Sequence, residues 1–108
     1  MLQEEQLPID RELGGAVLAL LPSQWDAASL RAERQPGTDS SESYVLSIEP
    51  LAVGSGTVVP DEEVQLAVRK LFLLHRRYTT GLRSACYVFR RKPDGRWAFT
   101  ADFQYDEE

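Results

Sequence analysis

The chain has 108 residues, 43% hydrophobic and 27% charged, with a net charge of −5 from 17 acidic and 12 basic side chains. That length holds one domain, residues 1–108, which buries roughly 65% of its unfolded surface and folds without metal or disulfide staples. No run approaches the roughly 18 apolar residues of a membrane span, and the acidic balance argues against nonspecific nucleic-acid binding, whose affinity comes from basic neutralisation of phosphates.

The opening MLQEEQLPIDRE is acidic and lacks a basic region followed by an apolar one, so no signal peptide is expected. The first helical period spans Ile9 to Leu21, where Leu13, Ala16, Val17, Leu20 and Leu21 form one apolar stripe. Asp10 suits the N-cap, with Ile9 as a hydrophobic staple. Whether residues before Pro8 extend this helix is left open. Gly14 and Gly15 each cost a helix about 1 kcal/mol relative to alanine, a loss that close packing on a sheet, or else a kink, would explain.

Pro22 closes the helix in the turn Leu-Pro-Ser-Gln-Trp. Trp25 to Glu33 alternates poorly and is expected as a strand because the next strand needs a partner. Gln35 to Ser43, QPGTDSSES, reads as a polar loop with a flexible tip. Tyr44 to Glu49 alternates, with Tyr44, Leu46 and Ile48 on one side, and Pro50 to Val59 reads as a connection.

The second helix is better marked. Pro60 suits its first position, and Asp61, Glu62 and Glu63 set negative charge against the positive end of the helix dipole. Val64, Ala67, Val68, Leu71, Leu74 and Tyr78 form the expected buried stripe, broadened by Leu66, Phe72 and Leu73. Arg69, Lys70, Arg76 and Arg77 gather toward the end, and Gly81 suits the C′ position. A strand from Ser84 to Arg90, the turn Lys92-Pro93-Asp94-Gly95 and a final strand from Trp97 make a hairpin. In that last strand Trp97, Phe99, Ala101, Phe103 and Tyr105 fall on one side and Ala98, Thr100, Asp102, Gln104 and Asp106 on the other. The expected fold is α+β with two layers: an antiparallel four-stranded sheet packed by two helices, in the order α-β-β-α-β-β.

Residues that could carry chemistry are scarce. His75 reads as a helix-surface or boundary histidine near the negative dipole end rather than a general base. One histidine and one cysteine make no zinc ligand set. The GSGT segment lacks the lysine of a phosphate loop, and no serine sits in a nucleophile elbow. Cys86 reads as an inert strand thiol, which together with the absence of a second cysteine suits a reducing, cytoplasmic interior. No enzyme, cofactor or metal is expected.

Two charge clusters remain. Arg76, Arg77, Arg83, Arg90, Arg91, Lys92 and Arg96, interleaved with Tyr87, Phe89 and Trp97, would suit a nucleic-acid surface. The helix dipole and protection of an edge strand account for the same charges, so no direct nucleic-acid contact is expected. Asp102, Asp106, Glu107 and Glu108 form an acidic run at the end of the last strand. This is either a solvated terminus or a docking surface for a basic protein.

Three stretches resemble the YezG-like immunity proteins, small bacterial antitoxins of polymorphic toxin systems. They are LLPSQW with Leu21, Pro22 and Trp25; the strand SYVLSIEP; and the hairpin DGRWAFTADFQYDEE, at Asp94, Gly95, Phe99, Phe103, Tyr105, Asp106 and Glu107. The resemblance implies one immunity-protein-like domain that binds a cognate secreted toxin domain, basic and commonly a nuclease, with no membrane contact and as a monomer or weak dimer. It points to Asp102, Asp106, Glu107 and Glu108 as partner-binding residues, with Tyr105 and Trp25 as anchors, although Trp25 also suits a core position. The alternative from another class is a secretion-chaperone-like protein holding an effector segment in an apolar groove.

Overall fold

The computed structural model describes residues 1–35, 43–51 and 58–106. The expected loops therefore lie largely outside the described residues, as do Glu107 and Glu108. The elements follow the expected order: α1 (Leu2–Leu20), β1 (Ala27–Gln35), β2 (Ser43–Pro50), α2 (Glu62–Arg77), β3 (Leu82–Arg91) and β4 (Trp97–Tyr105). The four strands form one antiparallel sheet in the order β2-β1-β3-β4. Since β2 and β3 both run antiparallel to β1, α2 is a crossover between two parallel strands with β1 between them. The fold is α+β.

α1 begins seven residues before the expected Ile9 start, and Asp10 lies inside it rather than capping it. Pro8 removes one helical N–H donor, but Pro8 and Glu4 both lie on the exposed side, where water can serve the orphaned carbonyl. The extra turns are also tied down from outside. Arg77 bonds Glu5 at 2.8 Å, the Tyr78 hydroxyl donates to Glu5, and Gln6 Oε1 lies 2.7 Å from His75 Nε2. The helix stops at Leu21, which is extended (φ −74°, ψ 135°) as a residue before proline prefers.

α2 begins after Pro60, with the Asp61 carboxylate accepting the Val64 N–H at 3.0 Å as N-cap. At its other end the C′ residue is Thr79, not Gly81. The Thr79 N–H reaches the Arg76 carbonyl and the Thr80 N–H reaches the His75 carbonyl, which makes a Schellman motif. Thr79 takes φ 52° there, an unfavourable conformation for a β-branched residue.

Ala28, Leu30 and Ala32 of β1, Ile48 of β2, and Leu82, Ala85, Tyr87 and Phe89 of β3 turn inward against the helices. The inward side of β1 is built partly of alanines, which is why its alternation reads poorly. Leu13, Ala16 and Val17 of α1 and Val64, Ala67, Val68, Leu71 and Phe72 of α2 close the core. Leu66, Leu73 and Tyr78, placed in the buried stripe by spacing, are exposed instead. Gly14 is buried, yet an added Cβ would meet Phe89 only at 3.7 Å, and Gly15 faces open space. Close packing therefore does not require either glycine.

The hairpin turn forms as its residues predict. The Gly95 N–H closes it on the Lys92 carbonyl at 2.9 Å, the Asp94 carboxylate accepts the Arg96 N–H, and Gly95 takes φ 88°. No helix among the described residues is long and apolar enough to cross a membrane.

Candidate functional site

β4 is an edge strand, and its hydrogen bonds show which groups it leaves open. At one end the Arg96 carbonyl accepts the Lys92 N–H at 2.6 Å, and at the other the Asp106 N–H donates to the Gly81 carbonyl at 2.8 Å. Both even-numbered residues turn their backbone toward β3. Strand geometry alternates, so Trp97, Phe99, Ala101, Phe103 and Tyr105 present theirs to the open edge. Their side chains lie on the helix side of the sheet, in continuity with the core aromatics. Phe99 is 5.9 Å from Phe89, ring centre to ring centre, and Phe103 is 5.9 Å from Tyr87. The helices cover this row incompletely: Phe99 is 42% and Tyr105 44% exposed.

The expected docking residues are brought together only in part. Asp102 is exposed on the outer face of the sheet, opposite Cys86 of β3, a half-buried free thiol. Asp106 follows just past the end of β4 and already pairs with Arg34, which lies on the helix side of the sheet beside Phe72 and Thr79. Tyr105 turns to the face opposite Asp102, where its ring lies 6.3 Å from that of His75. Trp25 is 7% exposed and belongs to the core, so it offers no anchor to a partner. It also sits at the far end of the sheet from Asp106: its carbonyl accepts from Arg91, whose strand partner is Trp97 at the beginning of β4.

The arginines divide between the two ends of β3. Arg77 pairs with Glu5 beside the end of α2, and Arg83 donates to Gln104 at 3.1 Å. At the other end Arg91 donates to the Ser23 and Trp25 carbonyls, both at 3.2 Å, and lies over the Trp97 ring at 5.1 Å. Arg90, Lys92 and Arg96 are exposed around the hairpin tip. The seven basic residues therefore form no single patch.

His75 corrects the sequence reading. It is 1% exposed rather than at the helix surface, in the middle of a polar chain that joins three elements. Its Nε2 lies 2.7 Å from Gln6 Oε1 and its Nδ1 3.0 Å from Thr80 Oγ1. An amide oxygen only accepts, so Nε2 carries the proton and Nδ1 accepts from the Thr80 hydroxyl. The Gln6 amide nitrogen reaches Asp10, and Asp10 accepts the Tyr87 phenol at 2.5 Å. Burial pushes the His75 pKa down, partly opposed by the Asp10 charge. Burial and the bond to Asp10 raise that of Tyr87 far above the usual phenol range. The sequence did hold a signal for this burial. His75 lies four residues after Leu71 and seven after Val68, on the buried stripe itself.

Two hollows mark the surface of the described residues. An open groove of about 650 Å³ runs between β2 and the beginning of α2, lined by Tyr44, Leu46, Val59, Leu66, Val68 and Arg69 among others. A smaller one of about 320 Å³ lies where β3 begins, beside Arg34, Phe72, Arg76 and Thr79. Among the described residues no three His, Cys, Asp or Glu side chains are grouped to hold a metal ion. The chain matches no protein-family model, and a search of curated proteins finds no significant match.

Proposed function

We propose that the chain is a non-enzymatic immunity protein that binds and neutralises a cognate secreted toxin domain at the β4 end of its sheet. One observation supports the reading above the others: β4 is an edge strand of the described sheet that carries the half-exposed rings of Phe99 and Tyr105 on one face and the exposed carboxylate of Asp102 on the other. Large aromatics rimmed by charge are the usual anchors of a protein interface, and acidic side chains speed the capture of a basic partner. The docking set is then Asp102, Asp106 and Tyr105 with Glu107 and Glu108, and without Trp25.

The test is co-expression with the variable C-terminal domain of a large secreted protein encoded beside this chain. Cells making both should grow, whereas reversing Asp102, Glu107 and Glu108 to lysine should weaken binding by roughly 2–5 kcal/mol and abolish protection. Full protection by the reversed chain refutes the site. A neighbouring domain that is harmless alone refutes the function. A second reading, a chaperone for an extended effector segment, is favoured by the groove between β2 and α2, and predicts binding of an unfolded peptide rather than a folded domain.

A further inference from the structure

We infer that β4 also pairs with β4 of a second copy of this chain, antiparallel and centred on Ala101, which joins two four-stranded sheets into one of eight strands. The inference does not rest on the toxin-binding reading and requires only the chain itself, but it covers the same β4 edge, so a paired copy cannot also hold a toxin domain there.

Unpaired strand edges template pairing with another chain unless they are shortened, bulged, covered, or carry proline or charged side chains. β4 runs for nine residues, WAFTADFQY, without proline or glycine and with one charge, Asp102, and the irregularity in its pairing with β3 lies on β3, between Leu82 and Ser84. Its open backbone groups belong to Trp97, Phe99, Ala101, Phe103 and Tyr105, as the inward bonds of Arg96 and Asp106 require.

A two-fold axis at Ala101 gives the longest overlap. It sets Ala101 against its own copy, Phe99 against Phe103 of the second copy, and Trp97 against Tyr105 of the second copy, all exchanging backbone hydrogen bonds. The aromatic row that already runs from Phe89 to Phe99 continues across the junction and covers the exposed faces of Phe99 and Tyr105.

Charge and length select the same register. On the outer face Thr100 meets Asp102 of the second copy, and no like charges face each other within the strand. Sliding one strand by two residues in one direction sets Asp102 against its own copy, a like-charge pair; sliding it in the other shortens the overlap and sets Tyr105 against the turn residue Gly95. A slip of one residue would turn every ring to the wrong face.

Sedimentation velocity and disulfide trapping test this. A nine-residue edge is a small interface, so the purified chain should shift from one-chain to two-chain mass as concentration rises. In a Cys86→Ser background, which removes the thiol opposite Asp102, the Thr100→Cys/Asp102→Cys chain should form covalent dimers on mild oxidation. Asp102→Cys alone should form them at least tenfold more slowly, because only the shifted register opposes that residue to itself. Ala101→Pro removes an edge-facing N–H without removing a bond to β3, and should abolish dimers while leaving the far-ultraviolet circular dichroism unchanged. A chain of single mass at every soluble concentration overturns the inference. So does rapid trapping through Asp102→Cys alone, or a dimer that survives Ala101→Pro with the fold intact.

Discussion

The phenol of Tyr87, at the centre of β3, donates a 2.5 Å hydrogen bond to the Asp10 carboxylate on α1, and so fixes the rotation of that helix against the sheet. The two ends of this bond differ in their access to water: Tyr87 is buried and Asp10 only half-buried. Removing one partner should therefore not cost the same as removing the other. Tyr87→Phe leaves a carboxylate that Gln6 and water still satisfy, for a loss of about 1–2 kcal/mol, whereas Asp10→Ala strands a buried hydroxyl, for about 2–3 kcal/mol. Urea denaturation of both variants and of the double variant checks this. The double should lose less than the sum of the singles.

His75 should make stability depend on pH. Burial holds its folded-state pKa below the unfolded value of about 6.5, so the unfolded chain binds the proton first. The contribution of neutral His75 is complete above about pH 6.5 and is lost as pH falls from there through the folded value, at about 1.4 kcal/mol for each unit of depression. His75→Gln should flatten the stability profile across that window and leave the carboxylate-driven loss at lower pH. An unchanged slope in urea midpoints between about pH 7.5 and about pH 5 would contradict the assignment.

Thr79 occupies a left-handed position that glycine would occupy without strain. A non-glycine residue there costs roughly 1–2 kcal/mol, and the extra freedom of an unfolded glycine returns about 0.5–1 kcal/mol of that. Thr79→Gly should therefore stabilise the chain by about 0.5–1 kcal/mol, read as a higher melting temperature. A loss would mean that the Thr79 hydroxyl bond to the Tyr78 carbonyl outweighs the backbone effect.

Gly15 sits on the exposed side of α1, and a methyl group added to it would meet nothing within 4 Å. Gly15→Ala should add about 1 kcal/mol of helix stability without touching any neighbour. Thermal unfolding measures it directly, and no gain would indicate a backbone in α1 less regular than its hydrogen bonds require.

What residues dictate locally is legible in the sequence. The last hairpin follows from Pro93, Asp94 and Gly95 and from strict alternation between Trp97 and Tyr105, and α2 follows from Asp61 and the spacing of Val64, Val68 and Leu71. These signals act over a few residues, the range over which turns, caps and one face of a helix are formed. The candidate edge is equally readable, since the alternation of rings and carboxylates is a property of one strand. Tertiary structure decided the rest. α1 runs through Pro8 because Glu5 and Gln6 are held by Arg77, Tyr78 and His75, about seventy positions away. His75 is buried, Trp25 is core and Asp106 is already paired with Arg34, each through a partner that no local window contains. Periodicity specifies which face a side chain takes, but only the packed fold determines what meets it there.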